Sequence, residues 1–151
     1  MPLKSQLASL RKPYKRKADA DAQMDSAFEV LQTVLNNPNI TKKHKKEVIN
    51  IMLWNVSQID GKYSVQYRSE GVLHDEDEKV QHEHVITRKE IVNSLLEHPD
   101  QVKEILEQVL ACIVTESEHK KLSLVKDAKG WERYEKAGIK VFDMVTNERI
   151  I

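Results

Sequence analysis

The sequence predicts an α+β protein with a single domain, in which a small, mostly antiparallel sheet of about three to five strands is packed with several helices. Two observations predict this class. In the first third of the chain, apolar residues recur at steps of three and four, which is the period of an amphipathic helix, so the N-terminal part is predicted to be all helical. After Asp60-Gly61 the apolar period changes to two, and strands then interleave irregularly with helices.

The composition limits the class of protein. The chain has 151 residues, 40% hydrophobic and 32% charged, with 24 basic and 24 acidic side chains. This length fits one domain that buries its own core. Apolar runs are too short for a membrane span, so we expect no membrane partner. Because the single cysteine, Cys112, cannot form an intramolecular disulfide, we expect a reducing, cytoplasmic location.

Residues 1–20 are predicted to form a basic, flexible arm, and residues 21–151 to form the α+β domain. The first 17 residues contain no acidic side chain and end in the basic run Tyr14–Lys17. Since clusters of Lys and Arg neutralise phosphates, we expect Lys15, Arg16 and Lys17 to contact nucleic acid. A solvated arm and an organelle transit peptide are the alternatives.

Two helices are predicted before the first strand, over residues 21–36 and 41–59. Thr41 has the position of an N-cap, and Lys42, Lys43 and Lys45 crowd the first turn that follows. Positive charge at a helix N-terminus opposes the macrodipole, and a bound phosphate would relieve this repulsion. The three lysines are therefore predicted contacts of nucleic acid, with a solvated charged face as the alternative.

The second half of the chain is predicted to alternate strands, loops and helices. A strand with Lys62 and Arg68 on its polar outer face is followed by a loop that contains Gly71 and the acidic run Asp75–Glu78. The further predicted strands are residues 80–86, 111–114 and 139–145. Two Thr-x-x-Glu capping boxes, Thr87 with Glu90 and Thr115 with Glu118, predict the starts of helices.

The sharpest functional signal is the triplet His82-Glu83-His84. Residues two apart on a strand point the same way, which places the two histidines about 7 Å apart at the backbone. His119, at the start of a later helix, could supply a third imidazole. Three histidine ligands and a water are typical of a catalytic zinc site, so we predict a divalent metal, Zn or Mg, at these residues. The alternative is a set of partly buried histidines bonded to carboxylates.

The fragment Glu83-His84-Val85-Ile86 resembles the first motif of the HNH-type nucleases, an acidic residue followed by His and two aliphatic residues. The resemblance implies that His84 activates water and that a later helix supplies an Asn and a metal-binding His. Asn93 and His98 follow on the next predicted helix. Two features depart from the family pattern: Thr87 stands where Pro is common, and five positions on a helix turn Asn93 and His98 about 140° apart.

The leading hypothesis is a small intracellular protein that acts on nucleic acid as a metal-dependent phosphodiesterase or nuclease. His84 is its predicted general base or ligand, and Arg68 and Arg88 are its predicted phosphate clamps. Lys62 and Arg133 are further predicted contacts of nucleic acid, with ordinary surface charge as the alternative.

The second hypothesis is a non-catalytic binding module, an inhibitor or adaptor that docks on a protein or nucleoprotein partner. Trp54 motivates it, because this side chain lies off the predicted apolar stripe of its helix. Convergence of the three histidines in a cleft would favour the enzyme, and a large exposed patch around Trp54 would favour the module.

Overall fold

The structure, a computed structural model, describes residues 14–74 and 78–151. Most of the predicted arm, residues 1–13, and the first three residues of the predicted acidic loop, Asp75–Asp77, lie outside the described residues. In chain order the elements are α1 (Ala20–Leu35), α2 (Lys42–Ser57), β1 (Tyr67–Ser69), α3 (Glu70–His74), β2 (Val80–His84), α4 (Arg88–Glu97), α5 (Val102–Leu106), β3 (Ala111–Thr115), α6 (Glu116–Leu124), α7 (Gly130–Lys136), β4 (Val141–Asp143) and β5 (Glu148–Arg149).

The chain divides into two compact units. A helical unit comprises Arg16–Ile59 and Ile86–Leu110, and a sheet unit comprises the described residues of Asp60–Val85 and Ala111–Ile151 together with Tyr14 and Lys15. Two compact contact units can belong to one domain, so a single domain over residues 21–151 stays a prediction. None of the helices in the two described ranges has the length and apolarity needed to cross a lipid bilayer.

The helical unit contains α1, α2, α4 and α5 around one apolar core. Leu31, Ile49, Leu53 and Leu95 are its most deeply buried large side chains. The Thr41 side chain accepts a hydrogen bond from the backbone N–H of His44 and caps α2, as its position predicts.

The sheet unit contains a five-stranded sheet in the order β2-β3-β1-β4-β5. Strands β1 and β3 are parallel, and the other neighbouring pairs are antiparallel. The mostly antiparallel α+β fold and the helical N-terminal part are therefore confirmed.

Two local predictions in this unit are wrong. The strand begins only at Tyr67, because Lys62 and Tyr63 form a turn in which the ammonium lies 5.3 Å from the ring centre. The residues after Ser69 form helix α3 instead of a loop, since this segment buries Val72 and Leu73 against the sheet.

Candidate functional site

The register of the strands sorts the predicted site residues onto two faces of the sheet. Glu83 pairs with Cys112, which pairs with Tyr67. One position along, His82 pairs with Ile113, which pairs with Arg68. Directly paired residues point to the same side, and successive residues point to opposite sides. We call the two sides the Glu83 face (Glu83, Cys112, Tyr67) and the His84 face (His82, His84, Ile113, Arg68).

On the Glu83 face, one carboxylate holds two cationic or protonatable side chains. His119 Nδ1 lies 2.6 Å from Glu83 Oε2. Arg133 Nη2 donates to Glu83 Oε1 at 3.0 Å and to the backbone oxygen of His84 at 3.2 Å. The side chains of Glu83 and Arg133 are only 14% and 11% exposed, whereas that of His119 is 43% exposed. An orienting carboxylate is thus buried behind an imidazole that reaches solvent.

The start of α6 positions His119. The Thr115 side chain accepts from the backbone N–H of Glu118, and the Glu118 carboxylate accepts from the backbone N–H of Thr115 at 2.9 Å. This is the predicted capping box. The same carboxylate accepts from the Ser69 hydroxyl, an interaction that the sequence does not indicate. Hydrogen bonds from two strands hold Glu118 in place. The next residue, His119, therefore has a fixed position on the first turn of α6.

Helix α7 completes the Glu83 face with aromatic packing. Trp131 makes edge-to-face contacts with Tyr67 and Tyr134, at 5.2 and 5.1 Å between ring centres. Tyr134 is fully buried, and burial, aided by Cys112 and Glu83, raises the pKa of its hydroxyl well above the ordinary value. Burial likewise raises the pKa of the Cys112 thiol, with Glu118 and Glu83 acting in the same direction. A thiol that keeps its proton is a poor nucleophile, which argues against cysteine catalysis.

On the His84 face, the two strand histidines lie together, and Arg68 is buried on the same face. The rings of His82 and His84 make an edge-to-face contact with 5.3 Å between their centres. Arg68 is only 2% exposed, and its Nε and Nη2 have no hydrogen-bond partner among the residues that the structure describes. The prediction that Arg68 lies on an exposed outer face of its strand is therefore wrong. Strand β1 is third of five in the sheet, and burial lowers the pKa of the guanidinium.

The three histidines predicted as metal ligands do not share one face. His119 contacts Glu83, whose side chain alternates with those of His82 and His84 along β2, so the imidazole lies on the other side of the sheet. In residues 14–74 and 78–151, no group of three His, Cys, Asp or Glu side chains is arranged to hold a metal ion. Metal binding at His82 and His84 stays a prediction.

Besides Arg133, three more of the predicted cationic contacts have intramolecular partners. Arg88, in the helical unit, stacks on Trp54 with 4.7 Å from the guanidinium carbon to the ring centre. Lys45 Nζ donates to the backbone oxygen of Leu35 at 3.0 Å, which satisfies a carbonyl at the end of α1. Arg16 forms an ion pair with Asp21. The other lysines that are predicted to contact nucleic acid are exposed: Lys15, Lys17, Lys42, Lys43 and Lys62.

Comparisons of this chain with protein-family models, with curated proteins and with solved structures find no match.

Proposed function

We propose that the sheet unit is the catalytic part of a phosphodiesterase that acts on nucleic acid, with His119 as the general base. The contact of 2.6 Å between His119 Nδ1 and Glu83 Oε2 supports the proposal. An ionised carboxylate only accepts hydrogen bonds, so Nδ1 carries the proton and Nε2 of the neutral imidazole keeps its lone pair. A histidine oriented by a carboxylate in this way is the arrangement that activates a nucleophile in many hydrolases.

The reaction needs no covalent intermediate on the protein. Nε2 of His119 takes a proton from a water molecule while the water oxygen attacks phosphorus. The bond from phosphorus to the leaving oxygen breaks, and the imidazolium returns the proton to that oxygen. Glu83 stabilises the imidazolium, and Arg133 keeps the carboxylate in place through its other oxygen. General acid–base assistance of this kind contributes about 10²–10⁴ to a rate.

Nucleic acid is the proposed substrate because cations and an exposed ring gather on the same unit. The backbone N–H of Lys15 donates to the Ser64 hydroxyl, and the Tyr14 hydroxyl donates to Asp60. These bonds bring the start of the basic run, Tyr14 and Lys15, to the turn that carries Lys62 and the 37% exposed Tyr63. Lysines bind phosphates and an exposed ring stacks on bases, so this turn supplies both contacts of a single-strand binder.

A divalent ion, zinc or magnesium, is part of the proposal, with His82 and His84 as the residues that would hold it. Their ring centres are 5.3 Å apart. Two imidazoles on one tetrahedral zinc have ring centres about 5 Å apart, given a Zn–N distance of about 2.0 Å. Because this pair lies on the opposite side of the sheet from His119, such an ion would be held apart from the proposed base.

The test is hydrolysis of labelled single-stranded DNA, single-stranded RNA and duplex DNA by the purified chain, with Mg²⁺, with Zn²⁺ and with EDTA. His119→Ala is expected to lower the rate about 10²–10⁴-fold. His74→Ala is the matched control, because His74 is a half-exposed histidine of the same unit that also lies near a carboxylate, Glu70 at 3.6 Å. Unchanged activity of His119→Ala rejects His119 as the base. Hydrolysis of none of these substrates rejects the enzyme.

A second measurement separates the orienting role of Glu83 from a structural one. In wild type, ¹⁵N spectra of the neutral His119 ring are expected to show the tautomer protonated at Nδ1. Glu83→Gln is expected to lose this preference and to lower kcat with little change in KM, because orientation of the base matters in the transition state. A folded Glu83→Gln protein with the wild-type tautomer and rate would exclude the orienting role.

The second candidate function is a non-catalytic binding module, an inhibitor or adaptor, and the surface of α2 supports it. Ile51 is 58% exposed and lies one helical turn before Trp54, which is half-buried beneath Arg88. The same hydrolysis experiment distinguishes the two functions. Tight binding of nucleic acid or of a partner protein without turnover, weakened by Ile51→Ser, would favour the module.

A further inference from the structure

An open groove lies on the helical unit between α1 and α5. Its volume is about 420 Å³, within the range of sites that hold ligands. The floor is apolar: Met24 and Phe28 from α1 and Leu106 from α5 line it, and Met24 and Phe28 are packed on the core from its outer side. Methionine adapts its shape to a ligand, so this floor suits a partner that inserts apolar side chains.

The rim of this groove is acidic. Asp25 and Glu29 from α1 and Glu107 after α5 line it, against a single lysine, Lys103. All four charged residues are exposed. Among the ion pairs of the described chain, none involves any of the three acids. Three carboxylates that have no ion-pair partner within residues 14–74 and 78–151 thus border an apolar floor, and we call this feature the acid-rimmed groove.

We propose that the acid-rimmed groove binds a basic amphipathic helix of a partner protein. Two spacings on α1 favour a helix as the occupant. Met24 and Phe28, and likewise Asp25 and Glu29, are four residues apart, which is about 6 Å along a helix axis. A bound helix repeats the same distance between its own residues i and i+4, so two apolar anchors and two flanking Lys or Arg side chains match the floor and the rim together.

Charge decides the kind of helix. The rim carries three negative charges and one positive charge. A basic ligand is therefore attracted electrostatically to the groove, and an acidic ligand is repelled. This proposal does not depend on the catalytic one, because every residue it uses belongs to the helical unit.

The probe is a fluorescent synthetic peptide with a stripe of leucines at helical spacing flanked by lysines, and fluorescence anisotropy measures its binding to the full chain. The double variant Asp25→Lys with Glu29→Lys is expected to weaken binding about tenfold or more, and added salt is expected to weaken binding to wild type. Glu47→Lys with Glu97→Lys is the matched control, because both acids are exposed on helices of the same unit outside the groove.

Three results of the peptide-binding experiment would overturn the proposal. One is absence of binding to the wild-type chain, and another is equal binding of a scrambled peptide with the same composition. The third is equal loss of affinity in the groove variant and in the control variant. A second copy of this chain is excluded as the occupant if wild type sediments as a monomer at the concentrations of the binding experiment, and self-association abolished by the groove variant would instead identify that copy and overturn the proposal.

Discussion

A Cβ atom at Gly71 would lie 2.7 Å from Oε1 of Glu118. That oxygen already accepts hydrogen bonds from the Ser69 hydroxyl and the Thr115 amide. Because β1 and β3 are parallel neighbours, their carboxyl ends lie side by side, and one carboxylate joins both strand-to-helix junctions. Only a residue without a side chain permits this close approach.

Gly71→Ala is therefore expected to lower the free energy of unfolding by about 1–3 kcal/mol, the cost of overpacking or of losing a buried hydrogen bond. Urea denaturation measures the change. In the Glu118→Ala background the same substitution should cost much less, because the clash is gone. Additive effects of the two substitutions would show that the clash is relieved by a movement elsewhere.

Arg133→Met is expected to destabilise the chain by about 3–5 kcal/mol, because it leaves the mostly buried carboxylate of Glu83 without its guanidinium. The exposed Arg149 is the matched control, and its replacement by Met should cost less than about 0.5 kcal/mol. Denaturant titration of both variants provides the comparison. Equal costs would mean that the Glu83–Arg133 pair contributes no more than a surface contact.

Arg68→Met, unlike Arg133→Met, is expected not to destabilise the chain. The guanidinium is buried, and two of its nitrogens lack hydrogen-bond partners in the described ranges. Replacing a buried guanidinium that is incompletely hydrogen-bonded within the described residues by an apolar side chain of similar length is expected to leave stability unchanged or to raise it by about 1–2 kcal/mol. Denaturant titration of Arg68→Met and of wild type measures the difference in the free energy of unfolding. A loss of more than about 1 kcal/mol would show that the Arg68 charge is compensated in the folded protein.

Stability is expected to fall above pH 9. The ordinary pKa values of Cys112 and Tyr134 are 9.0 and 10.0, and burial raises both in the folded protein. Above these values the unfolded chain releases the two protons while the folded chain keeps them, so stability that is complete below pH 9 is lost as the pH rises. The slope is at most about 1.4 kcal/mol per pH unit for each group.

Urea titrations between neutral pH and mildly alkaline pH measure this loss. Cys112→Ala should flatten the profile from about pH 9 and Tyr134→Phe from about pH 10, near the unfolded values of the two groups. Parallel profiles for wild type and the double variant would assign the alkaline loss to other groups, such as the lysines.

Local signals predicted much of the fold. The Thr115–Glu118 capping box lies within four residues, so its two hydrogen bonds could be read from the sequence, and the structure contains both. The alternation in residues 80–86 likewise predicted strand β2 and the common face of His82 and His84. In each case the predictive pattern lies within a few consecutive residues.

The arrangement of the site depends on the order of the strands in the sheet, and local sequence patterns do not predict that order. Glu83 and His119 are 36 positions apart, and only the pairing of β2 with β3 brings them together. Arg68 has the residue type of a surface position, but β1 lies between β3 and β4 inside the sheet, and Arg68 is only 2% exposed there. The spacing of polar and apolar residues within β1 does not indicate which strands lie on either side of it.

Cys112 gives this chain a built-in reporter of unfolding. It is the only cysteine in the sequence, it has no accessible surface, and burial keeps its thiol protonated. A thiol reagent can therefore modify it only when the packing around Cys112 opens, so the labelling rate measures how often this part of the sheet unit becomes exposed. In the wild-type protein, exposure of the sheet face that holds Glu83 can thus be timed without introducing another cysteine.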